Sequence, residues 1–261
     1  MGKVNLREAQ LLEVLREKSQ LDMKEIIDLF HISDSTARRM CVEIERKGLA
    51  IRTLGGLRAL PEKTQPSAPY SYNASEMEHA AQKKKIGRYA SSLIKDGEVI
   101  FLTGGTTVQR MAEALVERMK EENLKNLMIL TNSVACAEML AAHCTVILTG
   151  GKLRLERRDM AGFISEQMVR NARFDKCFVG VDGIDLHEGL MALDLDTANL
   201  DRIAVDQSDA AYILADSSKF RRTYFTAYEH FLPKHTVITD DALSADMVSY
   251  AHSNGIDLRT V

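Results

Sequence analysis

Short apolar runs alternate with helical patterns from residue 99 to residue 240, and this alternation limits the choice of fold more than any other property. The runs are VIFLT (99–103), LMILT (127–131), TVILT (145–149), CFVGV (177–181), AYILA (211–215) and TVITD (236–240). Nearly continuous apolar strands separated by helices are typical of a parallel sheet covered on both faces. The pattern therefore predicts an α/β domain with a mostly parallel sheet, which binds ligands beyond the carboxyl ends of its strands.

The first 60 residues have a different pattern, with three helices and a hairpin. Helix start signals are Asn5 with Glu8, Asp22 with Glu25, and Ser33 or Asp34, and the third helix is expected to end at Lys47-Gly48. The segment LAIRTLGGLRAL then reads as two short strands around Gly55-Gly56. Two short helices joined by a tight turn and followed by a hairpin predict a winged helix-turn-helix, an α+β unit.

The third helix and the hairpin are locally basic within a chain of net charge −3. In such motifs the start of the second helix of the pair enters the major groove of double-stranded DNA. The predicted DNA-binding residues are Ser35, Thr36, Arg38 and Arg39 on the helix, with Arg52, Gly55 and Gly56 on the hairpin. The alternatives for this charge are a solvated helix face and a three-helix structural module without a ligand.

Three prolines separate the two patterns. Pro61, Pro66 and Pro69 lie in a stretch rich in turn formers, which predicts a linker at 61–75. The expected division is a DNA-binding domain at 1–60, this linker, and a ligand-sensing domain at 76–261 that begins with a helix near Glu76–Lys95.

Motifs in both regions carry a resemblance to a known family. The run Phe30-His31-Ile32-Ser33, then Thr36-Ala37-Arg38-Arg39, Gly48-Leu49, Arg52 and Gly55-Gly56, resembles the signature of the DeoR family of bacterial sugar-metabolism transcriptional regulators (DeoR/GlpR type). Met40 stands where the family usually has Asp. Thr103-Gly104-Gly105-Thr106-Thr107 resembles the D-x-G-T-T loop of the family's effector domain, with Thr103 in place of Asp. The family's Glu-Ala pair is Thr197-Ala198 here.

Further turns after the predicted strands complete the expected ligand site. Glycines and helix N–H groups suit a phosphate, and polar side chains suit hydroxyl groups. The predicted ligand-binding residues are Thr103, Gly104, Gly105, Thr106, Thr107, Asn132, Gly150, Gly151, Arg154, Asp182, Asp185 and Lys219. The resemblance implies a fold similar to sugar-phosphate isomerases and a small phosphorylated sugar as effector. It also implies a sequence-specific repressor of a carbohydrate catabolic operon, relieved by that sugar.

Two alternatives stay open at this point. A sugar-phosphate isomerase-like enzyme could use Asp182, Asp185 and Lys219 as an acid/base set, and a regulator could use a degenerate pocket only for assembly. A non-enzymatic regulator with no catalytic residue is preferred, because an enzyme would not need the N-terminal unit.

The remaining expectations concern cofactors, location and assembly. The four scattered cysteines lack the spacing of a zinc site, so no metal and no cofactor is expected. No apolar run is long enough to span a membrane, which predicts a cytoplasmic protein without a membrane partner. A homodimer or homotetramer is expected, because one winged helix offers limited DNA contact.

Overall fold

The computed structural model describes residues 3–18, 20–47, 49–53, 55–59, 70–122, 124–220, 222–224 and 226–261. The chain forms two compact units, Met1–Gln65 and Pro66–Val261, called here the small unit and the large unit. Residues 61–69 of the predicted linker lie outside the described residues. Its last part differs from the prediction, since residues 72–75 are helical.

The small unit contains three helices and a three-stranded antiparallel sheet. Its elements are α1 (Lys3–Lys18), β1 (Gln20–Asp22), α2 (Met23–Phe30), α3 (Asp34–Arg46), β2 (Ala50–Thr53) and β3 (Gly56–Ala59). The strand order is β1-β3-β2. The predicted three helices and hairpin are confirmed, whereas β1 was not predicted and α1 begins two residues before Asn5.

The helix boundaries of the small unit follow from local hydrogen bonds. Asp22 accepts from the backbone N–H of Glu25 at 2.7 Å, and Glu25 accepts from the backbone N–H of Asp22 at 2.9 Å. This capping box starts α2 as predicted. Ser33 precedes α3, but its hydroxyl contacts the hydroxyls of Ser35 and Thr36 instead of capping a backbone N–H.

A single apolar core holds the small unit together. The buried face of α3 consists of Ala37, Cys41 and Ile44, as its spacing predicts. These side chains belong to one cluster with residues of α1, α2 and β3. The outer face of α3 is therefore free to carry polar and basic side chains.

Gly56 is buried where β3 pairs with β1. A Cβ atom built on Gly56 would collide with the carbonyl oxygen of Leu21 and lie 2.8 Å from Cα of Asp22. Gly55, one residue earlier, has no atom within 4 Å of the corresponding position. The close approach of β1 and β3 thus requires a glycine at 56 and not at 55.

The large unit alternates strands with helices. Its helices are α4 (Tyr72–Met77), α5 (Ala80–Ser92), α6 (Thr106–Glu121), α7 (Val134–Leu140), α8 (Phe163–Arg170), α9 (Leu195–Asp206) and α10 (Ala245–Ser253). Its strands are β4 (Val99–Leu102), β5 (Met128–Thr131), β6 (Thr145–Leu148), β7 (Lys152–Arg154), β8 (Asp159–Ala161), β9 (Phe174–Gly180), β10 (Gly183–Asp185), β11 (Gly189–Ala192), β12 (Ser208–Leu214), β13 (Thr226–Glu229), β14 (His235–Thr239) and β15 (Asp257–Thr260). The helix predicted near Glu76–Lys95 is divided into α4 and α5 at His79, whose φ is 51°.

Seven strands form the central sheet, in the order β15-β14-β12-β9-β4-β5-β6, and all neighbours are parallel. All six predicted strands belong to it. Consecutive side chains enter different cores: Phe101 belongs to one buried cluster, and Ile100 and Leu102 to another. The sheet is therefore covered on both faces, as the apolar runs predict.

The strand order reverses at β4. From β4 the chain first builds outward through β5 and β6, then returns to add β9 on the other side of β4. Parallel sheets bind ligands in the crevice that opens at such a reversal, beyond the carboxyl ends of the strands. Here that crevice lies beyond Leu102 and Gly180. No helix within the described ranges is long and apolar enough to cross a membrane.

Candidate functional site

The first turns of α3 present basic and hydroxyl groups to solvent. Ser35, Arg38 and Arg39 are exposed, and Thr36 is half-buried. The Arg38 Nε atom donates to Asp34 at 2.8 Å, and the Arg39 Nε atom donates to the carbonyl of Ser35 at 3.3 Å. The family pattern places an acidic residue at position 40. Here Asp34 pairs with an arginine from the preceding turn of the helix, so Met40 does not leave Arg38 without a partner.

The hairpin of the small unit places two of its three predicted DNA-binding residues at the surface. Arg52 is exposed and pairs with Glu45 at 3.3 Å, and Gly55 is exposed. Gly56 is buried against β1. The missing side chain of Gly56 serves strand packing, and its contact with DNA stays a prediction.

In the large unit, a glycine loop joins β4 to α6 at the strand-order reversal. Gly105 has a φ of 127° and immediately precedes the first turn of α6, where Thr106 and Thr107 lie. The side-chain oxygen of Asn132 accepts from the backbone N–H of Gly104 at 2.8 Å, and its amide donates to the carbonyl of Met160 at 2.9 Å. Asn132 thus fixes the loop in place. The first residues of α6 line the crevice, and the free N–H groups of a helix start can bind an anion.

The crevice is a cleft of about 620 Å³, counting its open mouth. Its lining comes from the glycine loop, the β7–β8 hairpin, the ends of β5 and β9, and α9. The lining residues are Tyr70, Ser75, Gly104, Gly105, Thr106, Thr107, Asn132, Arg154, Arg157, Asp159, Gly180, Val181, Asp182, Met191, Thr197, Asp201 and Lys219. Eight of the predicted ligand-binding residues are thus brought together: Gly104, Gly105, Thr106, Thr107, Asn132, Arg154, Asp182 and Lys219.

Arg154 is buried and fully engaged within the protein. Its guanidinium donates to both carboxylate oxygens of Asp159, at 2.8 and 2.7 Å, and to Asp194 at 2.9 Å. It also donates to the hydroxyl of Thr197 at 3.1 Å. Thr197 replaces a glutamate of the family pattern, and this avoids a third carboxylate beside Asp159 and Asp194.

Arg157 forms the second cationic wall of the cleft. Its guanidinium lies 4.3 Å from the ring centre of Tyr70 and donates to Asp182 at 3.3 Å. Stacking on an aromatic ring and pairing with a carboxylate both hold a guanidinium in place. Asp182 also accepts from the backbone N–H of Leu193 at 2.8 Å, so it is anchored to the turn after β11.

Asp201 of α9 is buried and lines the cleft. Its burial raises the pKa of its carboxyl group well above the usual range, and the nearby carboxylate of Asp182 raises it further. A raised pKa favours the protonated form, and a protonated carboxyl group can donate a hydrogen bond. Lys219, by contrast, is half-buried at the end of a short 3₁₀ turn and brings an ammonium group to the cleft.

Four predicted ligand-binding residues do not line the cleft. Thr103 is buried, and its hydroxyl oxygen accepts from the backbone N–H of Gly180 at 3.0 Å, which ties the loop to β9. Gly150 accepts from the hydroxyl of Ser165. A Cβ on Gly151 would lie 2.6 Å from the same hydroxyl. These three residues contact other parts of the protein, and their contact with a ligand stays a prediction.

Asp185 is the fourth of these residues. One of its oxygens accepts from the backbone N–H groups of His187 and Glu188, at 2.8 and 2.9 Å. Because it closes a turn in this way, it does not join Asp182 and Lys219 as an acid/base set in the cleft.

The sequence reading missed several lining residues because they do not follow a strand of the central sheet. Arg157 and Asp159 come from the β7–β8 hairpin, and Tyr70 and Ser75 come from the segment assigned to the linker. The dense charge of RLERRD, residues 154–159, was the available signal. In the described part of the chain no three His, Cys, Asp or Glu residues are grouped to hold a metal ion.

Comparison with known proteins agrees with both units. The model of the DeoR-like helix-turn-helix domain matches residues 7–63, and that of the DeoR C-terminal sensor domain matches residues 78–241. A solved ribose 5-phosphate isomerase A from Methanocaldococcus jannaschii covers 55% of both chains at 20% identity. Its TM-score of 0.42 is too low to bear on function.

Curated relatives match along most of their length. The chain is 31% identical to the HTH-type transcriptional repressor GlcR of Bacillus subtilis, over 95% of this chain and 93% of the relative. It is 27% identical to a putative aga operon transcriptional repressor of Escherichia coli O157:H7, over 97% and 92%. It is 30% identical to a lactose phosphotransferase system repressor of Staphylococcus aureus, over 84% and 85%. With helix-turn-helix and sensor domain both matched, this chain belongs to the DeoR family of transcriptional regulators.

Proposed function

We propose that this protein is a cytoplasmic repressor of a carbohydrate catabolic operon, released from its operator by a small phosphorylated sugar. The observation that supports the effector class is the Gly104–Thr107 loop, which places the start of α6 at a polar cleft. The relatives named as repressors of sugar-related operons support the direction of regulation.

The chemistry of the cleft suits a phosphate at one end and hydroxyl groups at the other. The N–H groups at the start of α6 and the ammonium group of Lys219 would hold the phosphate. Arg154 is already paired with Asp159 and Asp194, so its role is to position those carboxylates. Asp182 and Asp201 would then bind sugar hydroxyls from the opposite wall.

Regulation fits the cleft better than catalysis. Of the possible acid/base set, Asp185 closes a turn and Asp182 is paired with Arg157. A sugar-phosphate isomerase-like enzyme remains the alternative, and a turnover assay on the sugar phosphate that binds distinguishes it. We expect binding without conversion, and conversion at a useful rate would establish the enzyme.

The proposed function is tested by titrating DNA from upstream of the protein's own gene, with and without a panel of sugar phosphates. The salt concentration is held constant, because salt alone changes DNA affinity strongly. We expect one ligand to weaken operator binding by roughly 5–150-fold, the range of ordinary coupling between sites. Tighter binding with ligand would make the sugar a co-repressor, and equal constants across the panel would reject the effector class.

Gly105→Leu should abolish this response while DNA binding remains. The space beside Gly105 is open cleft, with no atom within 4 Å of a Cβ position, so a leucine would fill the place proposed for phosphate. Its positive φ adds strain for any side chain. Calorimetry should show ligand affinity at least about 100-fold weaker, the loss of more than one good charge-assisted contact. A variant that folds and still responds at the wild-type concentration would contradict the phosphate site.

Arg39→Ala should weaken operator binding by about 1–3 kcal/mol and leave stability unchanged, because the side chain lies on the outer face of α3. A gel shift at constant salt measures the affinity, and thermal unfolding measures the stability. Arg88→Ala, which removes an exposed charge from α5 of the large unit, is the matched control. Equal affinities of the Arg39 variant and the wild type would remove Arg39 from the DNA interface.

Pairing of two chains is part of the proposal. One small unit offers limited contact with DNA, and a two-fold arrangement on a pseudo-palindromic site supplies the missing affinity. Half-site centres should then lie about 10 bp apart, or a multiple of that distance. Footprinting of a single half-site by a monomer would contradict it.

A further inference from the structure

Six large apolar side chains of the large unit remain in solvent on three neighbouring elements. They are Leu153 and Leu155 of the β7–β8 hairpin, Phe163, Ile164 and Met168 of α8, and Leu195 of α9, each 40–77% exposed. We call this set the hairpin patch. Large side chains of this kind normally lie in a core, so a cluster of them at the surface needs an explanation.

The three elements of the patch pack against one another. α8 contacts both β8 and α9. Ile164 Cγ2 lies 3.8 Å from the Cβ position of Gly150, at the entry to the hairpin. The opposite face of α8 is anchored by the buried Ser165 and Val169. The exposed face therefore belongs to well-packed elements and not to a loose segment.

The exposed area is large for a surface that meets only water. The six side chains leave roughly 700 Å² uncovered, whereas the largest apolar patch of an ordinary monomer is about 300–600 Å². A standard interface takes about 800 Å² from each partner. The patch thus matches the share that one subunit contributes to a stable pair.

We propose that the hairpin patch is the interface between two copies of this chain. The polar residues on the hairpin and α8 carry charges of both signs, with Lys152, Arg158 and Arg170 against Glu156 and Glu166. A two-fold axis brings each residue opposite a different residue of the other copy, so a border of mixed charge can complement itself. Nucleic acid is a poor occupant, because the patch is apolar and its border is not basic.

The same hairpin reaches both the patch and the cleft. Leu153 faces solvent, whereas its neighbour Arg154 turns inward to Asp159 and Asp194. Neighbouring residues of a strand point to opposite sides, so a shift of β7 moves both groups. A ligand that contacts Asp159 in the cleft therefore acts on the pairing surface through Arg154 and β7. This coupling rests on the proposed sugar-phosphate function.

The interface is tested by measuring the mass of the full-length protein by light scattering and sedimentation, without ligand. Phe163→Glu and Leu155→Glu should each halve the mass and raise the dissociation constant at least 100-fold, with circular dichroism unchanged. Leu232→Glu, at a position 41% exposed outside the patch, is the control and should keep the wild-type mass. The proposal would be overturned if the folded patch variants keep the mass of the wild-type protein, or if Leu232→Glu lowers the mass as much as they do.

Hydrogen exchange on the wild-type protein gives a test that does not depend on variants. Backbone amides within 152–168 should be protected at high protein concentration and lose that protection on dilution. Protection that does not depend on concentration would overturn the proposal, including the case in which the small unit of the same chain covers the patch.

A final measurement separates the interface from the effector. A bound sugar phosphate should change the dissociation constant of the pair at least 5-fold in the wild type and not in Gly105→Leu. If calorimetry shows that the sugar phosphate binds but the dissociation constant of the pair is unchanged, the coupling is overturned. If no sugar phosphate binds, the proposed function is contradicted. The interface between two copies would still be supported by the mass measurement.

Discussion

Arg154→Met is expected to lower the free energy of unfolding of the large unit by about 3–5 kcal/mol, the cost of leaving a buried carboxylate without its hydrogen-bonded partner and with only Arg157 at 3.8 Å. Asp159 is buried, and both of its oxygens accept from Arg154. Thermal and chemical unfolding measure the loss. Arg158→Ala is the matched control, since its pair with Glu138 at 3.1 Å is exposed and should contribute less than about 1 kcal/mol.

The pH dependence of this variant has a definite sign. Burial raises the pKa of Asp159, and Arg154 lowers it, so loss of the arginine raises it further. An acid with a raised pKa in the folded state holds its proton there more tightly than in the unfolded chain. Folding then becomes less favourable as the pH rises above the ordinary value for Asp. The deficit should therefore be smaller at pH 5 than at pH 8.

A second substitution tests whether the buried carboxylate of Asp159 causes the loss of stability. Asp159→Asn in the Arg154→Met background removes the buried carboxylate that lost its two hydrogen bonds from Arg154, and it should recover a large part of the loss. A single variant as stable as the wild type, or a double variant no better than the single one, would show that the pair does not support the fold in this way.

Gly56→Ala is expected to unfold the small unit and abolish operator binding. The added methyl group would collide with the backbone of β1, which cannot move aside without giving up its pairing with β3. We expect a cost of about 3 kcal/mol, at the upper end for overpacking. That is a large share of the stability available to a unit of this size.

Gly55→Ala is the matched control, because its Cβ would meet no atom within 4 Å. Its small unit should therefore be as stable as that of the wild type in thermal unfolding. Sugar-phosphate binding by the large unit should survive in both variants, and limited proteolysis should cut only the small unit of Gly56→Ala. Normal operator binding by Gly56→Ala would refute the packing role of this glycine.

The fold was predictable because its signals are local. Six apolar runs identified six strands of the central sheet, whereas β15, with the sequence DLRT, has no such run and was missed. The carboxyl-end rule then brought the 104–107 loop, Asn132 and Asp182 to one cleft, because parallel strands end at the same edge.

The rest of the site depended on contacts between distant parts of the chain. A glycine in the sequence does not reveal what approaches it: Gly56 and Gly151 face other protein atoms, whereas Gly105 faces open space. Similarly, no pattern in the sequence shows that Thr103 turns toward β9 or that Arg154 is paired with Asp159.

The strand order has a consequence for how the protein is made. At the centre of the sheet Ile100 pairs with Lys176, so the two strands that flank the cleft are far apart along the chain. Pairing distant segments is slow, because the entropy of closing the loop is lost before the contacts form. The small unit, with local contacts and an N-terminal position, can fold on the ribosome while the sensor is incomplete. The small unit, which carries the predicted DNA-binding surface, can thus fold before the sensor domain that would bind the effector.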